Sequence, residues 1–137
     1  MEKLYRKGAH SIYSIYLHTY FVTRYRRKAL TDSMIDRAQE VAGRVTVAKN
    51  CILLECDGES DHIHLLIDMH PDIAPSRLLG SIKSAISRIL RSEFEPELRK
   101  HFWDWDKGLW GDQLYIASVG GAPLETLKQY IQAHSRG

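Results

Sequence analysis

The spacing of apolar and polar positions divides the chain into seven segments. Residues 11–23, "SIYSIYLHTYFVT", are dense in β-branched and aromatic side chains and read as a strand. After the basic turn "RYRRK", Thr31 or Asp32 can cap a helix with Met34, Ile35, Ala38, Val41, Ala42 and Val45 at helical spacing. Residues 50–56 form a second strand, "DGES" a tight turn, and residues 62–69 the return strand. Pro71 and Pro75 bracket a loop and open a second helix, whose apolar stripe is Leu78, Leu79, Ile82, Ala85, Ile86, Ile89 and Leu90. Residues 93–111 read as irregular, and residues 113–119 as a fourth strand. Gly120 and Gly121 then break the chain, and Pro123 suits the first turn of a last helix over 122–135.

The order β-α-β-β-α-β-α predicts an α+β fold, and its first six elements are the ferredoxin-like (RRM-like) split βαβ pattern. Such a sheet is antiparallel, with two helices on one face and the other face open. The last helix is expected to pack on that open face or on a second subunit. At 137 residues the chain suits one domain, 1–137, with residues 1–10 a mobile polar lead-in.

Composition changes this picture little. Apolar residues make up 44% of the chain and charged residues 26%, which suits an ordinary globular core. The net charge of +2 is too small to argue for a polyanionic partner, so local patches must carry that case. No run is long and apolar enough for a membrane span, and the basic start lacks an apolar signal core, so a cytoplasmic location is expected. Cys51 and Cys56 are expected to be buried thiols, pointing to opposite faces of one strand.

Candidate chemistry begins at "SDHIHLLIDM". Residues two apart on a strand share a face, roughly 6.6–6.8 Å apart along it. His62 and His64 therefore point to the open side, while Ile63, Leu65 and Ile67 point into the core. Two imidazoles so placed can converge on one ion, or can simply be packed surface histidines. "LETLKQYIQAH" puts Tyr130 and His134 four apart on one face of the last helix, with Gln132 about 200° from Tyr130 around the axis. Docked on the open face, that helix would bring His134 as a third nitrogen and Tyr130 one turn from the ion. The same pattern also fits a packed tyrosine and a frayed helix end. A phenol, with an unperturbed pKa near ~10, is a poor nucleophile at neutral pH. A divalent ion polarising the attacked phosphate makes phosphotyrosine formation feasible.

"TRYRRKAL", "DHIHLLI", "GLWGDQLYIASVGG" and "LETLKQYIQAH", in that order, resemble the single-tyrosine HUH transposases of the smallest prokaryotic insertion sequences. The resemblance covers roughly residues 10–135. It implies an enzyme that cleaves and rejoins single-stranded DNA at hairpin-bearing element ends. The intermediate would be a 5′-phosphotyrosine, and a magnesium or manganese ion would assist. It also implies a homodimer in which one subunit's tyrosine helix can complete the other's site. By matching motif, His62 and His64 are the implied metal ligands and Tyr130 the nucleophile. The family often has glutamine where this chain has His134, so the third ligand is His134 or Gln132. Three nitrogens would favour manganese or a later transition metal over magnesium, which prefers oxygen.

Arg24, Arg26, Arg27 and Lys28 form a compact basic patch, and Arg77, Lys83, Arg88 and Arg91 add charge to the second helix. Either set could bind phosphates or be a solvated surface. Trp103, Trp105 and Trp110 could stack on unpaired bases, with at least two expected to pack internally. Asp61 has the wrong strand parity for an ion's first shell, and either orients a neighbour or ends the turn. His10 and His18 have no assigned role. Competing readings are a domesticated relative acting on repeat hairpins, a non-catalytic nucleic-acid-binding ferredoxin-like domain, and a small metal-dependent hydrolase.

Overall fold

The structure is a computed structural model and describes residues 5–8, 11–119 and the single positions 129 and 132. Short strands β1 (Arg6–Lys7) and β2 (Ile12–Tyr13) form a small antiparallel pair. The main sheet comprises β3 (Tyr16–Val22), β4 (Ile52–Glu59), β5 (His62–Asp68) and β6 (Tyr115–Ser118). Its antiparallel order, β4-β5-β3-β6, is that of the ferredoxin-like pattern. Helices α1 (Asp32–Ala48) and α2 (Pro75–Glu93) pack on each other, and a short α3 (Glu95–Arg99) follows.

Local chemistry explains the helix boundaries. Thr31 caps α1, its side chain accepting a hydrogen bond from Met34 N. Pro75 opens α2, where its missing N–H costs nothing. Met34, Ile35, Ala38, Val41 and Ala42 of α1 meet Leu78, Leu79, Ile82, Ile86 and Leu90 of α2 in one core, joined from the sheet by Phe21, Ile63, Leu65 and Ile67. Burial of these side chains is the main force holding helices to sheet. It also fixes which residues of β3 and β5 face away.

Several boundaries differ from the sequence reading. The predicted first strand is divided between β2 and β3, because Ile12–Tyr13 pair with Arg6–Lys7 rather than joining the main sheet. The expected lead-in thus includes a short strand, and Arg6 Nε donates to Asp68 Oδ1 at 3.1 Å. β4 runs on through "DGE", leaving a turn of only Ser60 and Asp61. Gly58 lies inside the strand because a Cβ there would sit 2.2 Å from the His62 carbonyl oxygen. Cys51 and Cys56 are buried as expected, but in the same core cluster. Cys51 precedes β4, and a register shift between Leu53 and Glu55 resets the alternation. The expected irregular stretch contains α3 and a 3-10 turn at Trp105–Lys107. The predicted last helix, with Tyr130 and His134, and the Gly120-Gly121 break lie outside the described residues. Gln132 is described, helical and exposed.

Candidate active site

Strand alternation does at His62 and His64 what the sequence predicts. Ile63, Leu65 and Ile67 are fully buried, while both imidazoles lie half-buried on the opposite face. Directly across β4, Glu59 opposes His62 and Asp57 opposes His64. Across β3, Val22 opposes His62 and Tyr20 opposes His64. Tyr20 in turn stacks on Tyr115 of β6, with ring centroids 4.5 Å apart.

The two imidazoles converge, with His62 Nε2 lying 2.9 Å from His64 Nε2. His62 Nδ1 donates to Asp61 Oδ1 at 2.7 Å, which leaves the lone pair of the neutral ring on Nε2. His64 Nδ1 faces His18 Nε2 at 3.4 Å. The tautomer in which His64 Nδ1 donates to His18 puts both Nε2 lone pairs into the same space. Burial pushes the His18 pKa down, which favours the neutral ring such an acceptor needs.

This donor set fits a divalent cation. Ligands at about 2.1 Å and right angles stand about 3.0 Å apart, close to the spacing of the two Nε2 atoms. A second grouping lies beside the pair: Glu59, Asp61 and His62 offer ligand atoms within 4.8 Å of one another, and His64 is not among them. Asp61 lies in the turn and orients a neighbour, the two roles its sequence position suggested. Its carboxylate both orients His62 and stands close enough to belong to the polar cluster. Tyr130 and His134 are outside the described residues, and exposed Gln132 makes no described contact with the histidines.

The basic candidates separate by environment. Arg27 is largely internal: Nη1 donates to buried Asp104 Oδ1 at 2.5 Å, and its guanidinium lies 4.8 Å from the Phe102 ring centroid. That hydrogen bond holds the Asp104 carboxyl below the usual carboxylate range. Arg24 is tied to Lys107 O at 2.9 Å and to Asp112. Arg26 and Lys28 are exposed, Arg26 at 3.8 Å from Asp61. Exposed Arg88 lines a cleft of about 500 Å³ with Arg24, Lys83, Arg91 and Lys107. Burial lowers the Lys83 pKa, and its Nζ donates to Gly111 O and Gln113 O. Two tryptophans pack, as expected: Trp110 is buried, donating from Nε1 to Lys83 O at 2.9 Å, and Trp105 lies under the Arg91 and Arg99 guanidiniums.

His18 is the site residue that sequence reasoning left unassigned. Parity alone puts it on the Tyr20 face of β3, away from Leu17 and Phe21. Its neighbour could not be named without the β3–β5 register.

An antiparallel ferredoxin-like sheet with two convergent histidines on the face away from α1 and α2 defines an α+β domain with a donor pair suited to a divalent cation. The particular family follows from comparison with known proteins. Residues 11–134 match the family described as "Transposase IS200 like", and the chain belongs to it. Among curated proteins, it is 21% identical over 128 residues to the ISDra2 transposase TnpA of Deinococcus radiodurans, covering 93% of this chain and 89% of that one. It is 26% identical over 112 residues to the transposase for insertion sequence element IS200 of Salmonella typhimurium, covering 82% and 72%. A Deinococcus radiodurans protein solved as a candidate transposase superposes with a TM-score of 0.74 at 23% identity, over 96% of this chain and 99% of that one. A REP-associated tyrosine transposase bound to a REP hairpin gives a TM-score of 0.60 at 11% identity, over 98% and 68%. The chain is thus a single-stranded DNA transposase of the insertion-sequence type, a DNA-cleaving enzyme with DNA as its partner. None of its described helices is long and apolar enough to cross a membrane.

Proposed function

We propose that this transposase cleaves and rejoins single strands at the ends of its element through a 5′-phosphotyrosine on Tyr130. The observation that carries the reading is the 2.9 Å approach of His62 Nε2 and His64 Nε2 on the sheet face away from α1 and α2. His62 and His64 would hold a magnesium or manganese ion, with Glu59 and Asp61 as nearby oxygen donors and His134 as the ligand brought by the last helix. Such an ion, when bound, would polarise the scissile phosphate and stabilise charge developing there.

The residues of the chain do the rest. The Tyr130 hydroxyl loses its proton and its oxygen attacks phosphorus. A P–Oη bond forms, the P–O3′ bond breaks, and the 3′-oxygen leaves as a hydroxyl on taking up a proton. Attack by a 3′-hydroxyl on the phosphotyrosine reverses the sequence and joins a new strand. One phosphodiester is exchanged for another, so no nucleotide triphosphate is required. Asp61 keeps His62 in the Nδ1–H tautomer throughout. A hairpin end as substrate accords with the REP hairpin held by the relative in fold. A homodimer in which the last helix serves its own subunit's site or its partner's would hold two such sites. The reaction belongs in the prokaryotic cytoplasm, where single strands arise.

The test is a denaturing gel after incubating the protein with single-stranded DNA from the element end and manganese or magnesium. A covalent protein–DNA band is expected that Tyr130→Phe abolishes and His64→Ala strongly weakens. Cleavage with no adduct would instead indicate a hydrolase using water. Binding without cleavage would indicate a non-catalytic nucleic-acid-binding domain.

A further inference from the structure

The turn after β3 has an unusual construction. Tyr25 and Arg26 both adopt positive φ, 60° and 52°. Bulky residues rarely occupy that left-handed region, and they persist there only where the surroundings impose it. Here the imposition is visible: Thr23 Oγ1 donates to Arg27 O at 2.7 Å, and Arg26 N donates to Thr23 O at 2.9 Å. The result is that Tyr25 projects outward, 71% exposed.

Beside it lies Trp103, 81% exposed, the most exposed large apolar side chain among the described residues. The two rings are nearly parallel, 15° apart, with centroids separated by 6.5 Å. The Arg27 guanidinium stands 4.9 Å from the Tyr25 centroid and 5.3 Å from that of Trp103. Arg27 is itself fixed by Asp104, so the aromatic pair rests on a rigid cation rather than a mobile one. Arg26 and Lys28 add exposed positive charge on the same turn. Leaving two such rings in water is unfavourable for a chain with a core available to bury them.

This turn is tied to the histidine site. Thr23 N donates to Asp61 O and Leu30 N to Ser60 O, each at 2.9 Å, so both ends of the basic turn are bonded to the residues that precede His62. Aromatic faces flanked by cations are what sequence-tolerant binding of single strands uses: the rings take bases and the cations take phosphates. We infer that Tyr25 and Trp103 form a stacking platform for an unpaired base of the DNA strand entering the histidine site. The inference rests on the single-stranded DNA reading above and adds to it a binding site for a nucleobase.

The test measures equilibrium binding without divalent ions, by anisotropy of a labelled single-stranded dT 20-mer and of a duplex of equal length. Trp103→Ala is expected to weaken single-strand binding roughly tenfold, and Tyr25→Ala by a similar factor. Trp103→Phe, which keeps an aromatic face, should stay within about threefold of the wild type. Duplex binding should be unchanged. Equal binding of dT by wild type and Trp103→Ala would overturn the platform, as would a change of oligomeric state in sedimentation in place of the binding loss. Both residues are exposed, so the variants should fold. Failure of the wild type to bind single strands or to form the Tyr130 adduct would sink the strand-transfer reading itself. Wild-type binding and adduct formation with indifferent platform variants would sink only the platform.

Discussion

His18 Nε2 lies 3.4 Å from His64 Nδ1, with the two rings stacked at an interplanar angle of 16°. Partners on the far nitrogen of a metal-binding imidazole fix its tautomer and direction, and their loss typically costs 10–100-fold in metal affinity. His18→Ala should therefore weaken manganese binding by roughly tenfold or more, measured by calorimetry or by manganese electron paramagnetic resonance on the DNA-free protein. Its melting temperature should change little, because His18 is only half-buried.

Asp61 has two ways to act, and one pair of substitutions separates them. If it acts by holding His62 Nδ1, Asp61→Asn keeps an acceptor oxygen and most of the metal affinity, while Asp61→Ala loses roughly 10–100-fold. Equal losses in the two variants, read in the same titration, would place its carboxylate on the ion itself.

Gly58→Ala should be costly. The new Cβ would meet the His62 carbonyl oxygen at 2.2 Å and Ile63 Cα at 2.9 Å. Both are backbone atoms of β5, so the strand itself must yield. Overpacking of this kind costs about 1–3 kcal/mol, sometimes more. Urea unfolding should show that loss, with a parallel fall in manganese affinity as His62 moves.

Acid should act on the Arg27–Asp104 pair. The Asp104 pKa is depressed, so the folded state binds fewer protons there than the unfolded state. Its stabilising contribution is complete above the ordinary carboxylate pKa of about 4 and is lost as pH falls through the depressed value. Asp104→Asn should flatten stability against pH in that acidic window and lower stability near neutrality, where Arg27 would lack its charged partner. Thermal melts from pH 7 down to about pH 2 would measure both effects.

These residues also mark what the chain discloses before folding. Parity alone placed His62 and His64 opposite Ile63, Leu65 and Ile67, because alternation is a local property. The α1 and α2 stripes and the Thr31 cap were legible for the same reason. Gly58 misled, since a glycine beside an aspartate reads as a turn, whereas here it serves a close approach between strands. Arg27 could not be paired from the sequence, because its partner Asp104 is 77 residues away. His18 needed the strand register to find its neighbour. Tyr130 and His134 rest on motif spacing and on the family.

The two-residue link of Ser60 and Asp61 makes the chemistry depend on a count. Adding or deleting one residue there while keeping the hairpin paired would rotate every later side chain of β5 to the other side. Isoleucine and leucine would then surface where the imidazoles stood, and two rings that need water or an ion would be driven into hydrocarbon. Elsewhere an insertion changes a loop; at this link it would exchange the inside of the molecule for its outside.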